Sequence, residues 1–134
     1  MTVPMLVLVL AAVIDWGAYM SMRTSVARAA MDGARRGAAV YEDSTVANPG
    51  DNIVPAAEAR AQLILDEMGF GCSAPTCYIE GEYCDVGEVA NNCGAPPLNA
   101  VLVTVTYQFT PFFGFMAAPT VITERSIFAS ESNN

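Results

Sequence analysis

The chain has 134 residues, room for one small domain, and its 14 acidic against 6 basic side chains give a net charge of -8, which disfavours nucleic acid and anionic lipid as partners. It contains no histidine, so histidine-dependent acid–base catalysis is excluded and the commonest metal ligand is missing.

Met1 to Met22 hold a single charged side chain, Asp15, in an otherwise largely apolar run. As a helix rising about 1.5 Å per residue the run measures roughly 33 Å, enough to cross the apolar core of a bilayer. A secretory signal would place basic residues before its apolar stretch and a small-residue cleavage site after it, and this segment has neither. Pro4 falls in the first turn, where its missing N–H is harmless. Asp15 is the anomaly, because a carboxylate at that depth needs a partner, an interface or a proton. Two readings stand: an intramembrane functional acid, or a helix-end residue at headgroup level beside Trp16 and Tyr19.

The helix continues through RTSVARAAMDGARRGAAVY towards Tyr41, where EDSTVANPGDN supplies turn and breaker residues. Val26, Ala30, Ala34 and Ala38 recur four apart, and Gly33 and Gly37 form a GxxxG on the adjacent stripe. Such stripes allow helix backbones to approach closely. The stripe suits packing between subunits, in which case Gly33→Leu should abolish assembly and leave the domain folded; it equally suits cover for the chain's own sheet. Arg23, Arg28, Arg35 and Arg36, with Asp32 among them, form the most basic stretch. Acids of neighbouring subunits are its expected partners, with a membrane surface as the alternative.

Ala57, Ala61, Ile64, Leu65 and Met68 have helical spacing, which predicts a second helix from Pro55 or Ala56 to Met68, stopped by Gly69. Cys72, Cys77, Cys84 and Cys93 follow in a Gly, Pro and Asn-rich loop, 69–97. Their spacing fits no usual zinc site and no histidine completes one, so they read as two disulfides formed in an oxidising compartment. A hairpin in CYIEGEYC turning at Glu80-Gly81 would pair Cys77 with Cys84 and leave Cys72 for Cys93; the sequential pairing is nearly as well supported. Glu80, Glu82, Asp85 and Glu88 lack both the ligand spacing of a calcium loop and a cleft-forming motif, and read as a solvated acidic face.

NAVLVTVTYQF alternates Val101, Val103, Val105, Tyr107 and Phe109 with Leu102, Thr104, Thr106 and Gln108, a strong strand pattern. Thr120 to Ser130 supplies the antiparallel return, and Tyr78 to Tyr83 is a candidate third strand. Between Pro111 and Pro119, Phe112, Phe113, Phe115 and Met116 form an apolar tip that should be buried, against the chain's own helices, another subunit or lipid. The fold class is therefore α+β: a long N-terminal helix over 1–41, then a small domain over 42–134 with a second helix, the cysteine loop and two or three antiparallel strands.

PMLVLVLAAVIDWGAYM followed by the Ala and Arg-rich helix, with VTVTYQFTPFFGFMAAPTVITERSIFAS at the other end, resembles the TadE-like pilins of tight-adherence (Flp-type) pilus systems. Pro4 and Ile14-Asp15-Trp16-Gly17 occupy the places of the family's early proline and Ile-Asp-aromatic-Gly element, and the Phe-Thr-Pro-Phe-Phe turn corresponds too. The cysteine loop lies outside the shared pattern. Family members are made as prepilins cut after a Gly, with a Glu shortly into the mature chain; by the family spacing that Glu would fall ahead of Met1.

The resemblance implies a structural subunit, held in the inner membrane before assembly and then moved into an extracellular filament. Its partners would be copies of itself or other pilins, the inner-membrane assembly machinery and the prepilin peptidase. No active site, cofactor, metal or nucleic acid is expected. The residues assigned to helix–helix assembly are Pro4, Leu8, Ala12, Asp15, Trp16, Ala30, Gly33, Ala34 and Gly37. The competing class is a single-pass anchor displaying a disulfide-stapled binding domain, although no flexible linker separates the anchor helix from the domain.

Overall fold

A computed structural model describes residues 2–40, 50–86, 93–94, 96, 98–114 and 120–129. Helix α1 spans Thr2–Ala38 and α2 spans Gly50–Glu67, followed by strands β1 (Cys77–Cys84), β2 (Ala100–Phe109) and β3 (Thr120–Ala129). The strands form one antiparallel sheet in the order β1-β2-β3. The second half of α1 lies on β2 and β3, and α2 packs beside it over β1. This is the expected α+β class, with three strands.

Alternation in β2 divides the sheet into two faces. Val101, Val103, Val105 and Phe109 join Val26, Ala29, Ala30 and Ala34 of α1 and Ile53, Ala57, Ala61, Ile64 and Leu65 of α2 in the main core. Ala100 and Leu102 point to the other face, under a small cluster with Cys84 and Cys93. β2 is thus covered on both sides at one end, which suits its nearly continuous apolar sequence.

The small-residue stripe is spent within the chain. A Cβ added at Gly33 would sit 2.9 Å from the Ala57 carbonyl oxygen and 3.0 Å from the Ala61 Cβ; one at Gly37 would sit 2.8 Å from the Ala57 Cβ and 2.9 Å from a Val101 methyl. The two helices approach until only hydrogen fits between them. Ala30 and Ala34 are buried in the same seam, so none of the four is open to a neighbouring subunit while α2 stays in place.

Helix α2 begins at Gly50, ahead of the expected Pro55. Proline removes one helical hydrogen bond, but the added turn buries Ile53 completely, worth about 1.5–3 kcal/mol. The other end is as expected. Gly69 has φ 81°; its N–H donates to the Asp66 carbonyl at 3.0 Å, and that of Phe70 to the Leu65 carbonyl at 2.8 Å, a Schellman closure. The expected end of α1 at Tyr41 lies outside the described residues.

The hairpin at Glu80-Gly81 does not form, and the favoured cysteine pairing fails with it. β1 runs straight through, pairing from Cys77 opposite Tyr107 to Cys84 opposite Ala100; eight cross-strand pairs outweigh two short arms. Cys77 and Cys84 then stand at opposite ends and on opposite faces of one strand, about 23 Å apart at about 3.3 Å per residue. Each takes a partner from its adjoining loop, giving Cys72–Cys77 and Cys84–Cys93. Gly81 instead permits close passage of α2: a Cβ there would meet a Val54 methyl at 2.9 Å. Its N–H donates to Glu58 Oε1 at 2.8 Å, so a carboxylate caps an edge-strand amide that could otherwise recruit another strand.

Two outcomes follow. Gly33→Leu should lower the stability of the full chain in mild detergent by about 1–3 kcal/mol through overpacking, read by denaturant unfolding; an unchanged midpoint would return the stripe to assembly. Cleavage after glutamate without reductant should release a self-closed 68–80 peptide and a linked pair, 83–88 with 89–124, in the mass spectrum. A three-peptide species would indicate the crossed pairing.

Candidate functional site

Among the described residues, most of the apolar half of α1 extends beyond the domain and is exposed. Every described side chain from Val3 to Leu10 is exposed, as are Ala12, Val13, Ile14 and Trp16. By length and composition the helix can cross a membrane. Four of the residues assigned to assembly, Pro4, Leu8, Ala12 and Trp16, lie on this free stretch. Asp15, Ala30, Gly33, Ala34 and Gly37 are covered by their own chain.

Asp15 stands where the free and packed halves of α1 meet, and it is 0% exposed. Its Oδ1 accepts hydrogen bonds from the backbone N–H of Phe112 at 2.9 Å and of Phe113 at 3.1 Å, and its Oδ2 accepts from Phe113 at 3.3 Å. The donors belong to the turn after β2, which reaches Gly114 with φ 73°, a backbone shape that glycine adopts without strain. The anomalous acid of the apolar run is therefore a clamp between helix and sheet. Bonds to a charged acceptor contribute more than neutral ones, and here they also satisfy two turn amides that have no strand partner.

The clamp holds the backbone and turns the rings outward. Phe112 is 75% and Phe113 56% exposed, so the expectation that the tip is buried is not met within the chain for these two. Phe115 and Met116 lie outside the described residues. Trp16 and Tyr19 contact each other on α1 with ring centroids 6.0 Å apart, and Tyr19 meets Phe109 edge-on at 5.7 Å. A run of three aromatic rings, Trp16, Tyr19 and Phe109, thus lies near the point where α1 leaves the domain.

On the packed side, Arg23 Nε meets Glu124 Oε1 at 2.9 Å, tying α1 to β3. One arginine of the basic stretch thus pairs with an acid of its own chain. Glu80 and Glu82 lie on β1 with side chains on the sheet face away from the helices, in register with Thr104 and Leu102. Among the described residues no group of three His, Cys, Asp or Glu is arranged to hold a metal ion.

Sequence reasoning found Asp15 and the Phe-Phe turn separately and missed their pairing. The usable signal was the coincidence of two oddities, a lone acid in an apolar helix and an apolar turn, each lacking a partner nearby in sequence. Asp15→Ala should lower stability by about 2–4 kcal/mol and speed amide exchange at Phe112 and Phe113 in the full chain. Asp15→Asn, which keeps one acceptor oxygen, should lose less. Unchanged exchange in both variants would remove the clamp.

The family model of TadE-like proteins matches residues 1–35. No curated protein and no solved structure matches the chain. The matched stretch takes in the free half of α1, Asp15, and the packed half as far as Arg35. Over these residues the chain is similar to TadE-like proteins.

Proposed function

We propose that the chain is a structural subunit of a Tad-type pilus, held in the membrane by α1 before assembly and packed through the same helix in an extracellular filament that serves attachment. The observation that carries this reading is the exposed apolar surface of α1 at Val3 to Leu10 and Ala12 to Ile14, within the segment that matches the family model. Val, Leu, Ile and Met side chains there each stand to gain about 1.5–3 kcal/mol on full burial. Lipid covers them first and neighbouring helices later. Packing that does not close on itself yields an open helical filament.

On this reading the protein works by packing and needs no active site. Pro4, Leu8, Ala12 and Trp16 provide the intersubunit contacts, and the buried residues Asp15, Ala30, Gly33, Ala34 and Gly37 keep the domain rigid on its helix. The face of the sheet with the Cys84–Cys93 loop is left to solvent. On this reading the partners are copies of the chain itself or other pilins, the assembly machinery of the inner membrane and the peptidase that processes prepilins.

Electron microscopy of material sheared from producing cells, with intact mass of its subunits, tests the reading. Filaments containing this chain are expected. Leu8→Asn, at an exposed position on α1, should sharply reduce their yield without moving the unfolding midpoint of the domain. A chain found solely as a membrane-held monomer, with no filament containing it, would favour the anchored display protein instead.

A further inference from the structure

We propose that the Phe112–Phe113 tip, with Trp16, is a membrane-seating surface that enters the headgroup–acyl boundary beside α1 and sets the height of the domain on the bilayer. This rests on the reading that α1 holds the chain in a membrane. The exposed face of α1 stays apolar through Met20 and turns polar at Ser21, Arg23 and Thr24. Thr2 to Met20 rises about 28 Å, close to the roughly 30 Å apolar core of a bilayer. The tip, however, is bonded to Asp15, about 9 Å deeper than the polar switch at Ser21 at about 1.5 Å per residue. Once α1 is inserted to the limit of its apolar face, the two exposed phenylalanines lie below the surface, within the roughly 5–10 Å that interfacial apolar groups occupy.

The chemistry of the tip suits that depth. Unpaired backbone amides are costly next to lipid, and Asp15 accepts the N–H groups of both Phe112 and Phe113. The same bonds shield the carboxylate, which is wholly buried. Above the tip, the groove containing Phe112 mixes apolar Met22, Phe70 and Phe109 with polar Ser21, Gln108 and Thr110, a lining suited to the boundary between acyl chains and headgroups. Trp16, exposed at the same level, is of the residue type that favours it.

The test uses the single tryptophan of the chain and its relocation. The full chain carrying Trp16→Phe and Phe113→Trp is reconstituted in phosphatidylcholine vesicles, floated, and quenched with lipids brominated at shallow acyl positions or with aqueous iodide. Blue-shifted emission, quenched several-fold more by the brominated lipid, is expected. Flotation with water-like emission quenched by iodide would overturn the seating while leaving the membrane-held reading intact; failure to float would overturn both. A reporter shielded only in sheared filaments would assign the tip to a subunit contact and overturn lipid seating. As an independent check, Phe112→Ser with Phe113→Ser should make Trp16 measurably more accessible to iodide in vesicles; unchanged accessibility would contradict the proposal.

Discussion

Two backbone amides of one turn end on a single carboxylate, and the placement of the sheet along α1 depends on that pairing. Asp15 has no exposure and accepts from Phe112 and Phe113. A buried acid without such donors would be severely destabilising, and a turn without such an acceptor would leave its amides to water or to lipid. Each element supplies what the other lacks. The consequence is geometric: the end of β2 is fixed at one level of the helix, and the two phenylalanines are turned away from the core.

The rest of the domain makes the helix rigid on the other side of that point. Gly33 and Gly37 bring α1 onto α2 at a separation that no side chain would allow, and Val26, Ala30 and Ala34 close the seam over β2. Arg23 and Glu124 add a surface tie to β3; exposed pairs of this kind contribute little to stability. α1 is therefore two devices joined at Asp15. One half is a core helix, and the other presents apolar side chains to its surroundings.

Much of this was legible in the sequence, for identifiable reasons. The strands announced themselves because β2 alternates cleanly from Val103 to Phe109, and Gly69 marked a helix end because only a positive φ closes that cap without strain. What local pattern could not settle was which partner a feature would meet. The Gly33–Gly37 stripe looks the same whether α2 or another subunit lies against it. CYIEGEYC contains a hairpin signal that the long register with β2 overrides, and the cysteine pairing followed the strand. Pro55 marked the helix start only as long as the burial of Ile53 was left out. The Asp15 clamp was least legible, since it joins residues nearly a hundred positions apart in the chain.

The two disulfides sit at opposite ends of β1: Cys72–Cys77 closes the loop entering the strand, at the end opposite Tyr107 and near the Phe112 turn, and Cys84–Cys93 joins the far end, opposite Ala100. The claim that the remainder depends on is the division of α1 at Asp15. It is tested most directly by NMR of the full isotope-labelled chain in lipid nanodiscs doped with a lipid-soluble spin label. Broadening confined to Val3–Met20 and the Phe112–Phe113 turn, with Ala30, Ala34 and Ala57 sharp, is the expected result; broadening that runs on unbroken through Ala30 and Ala34 would contradict the account.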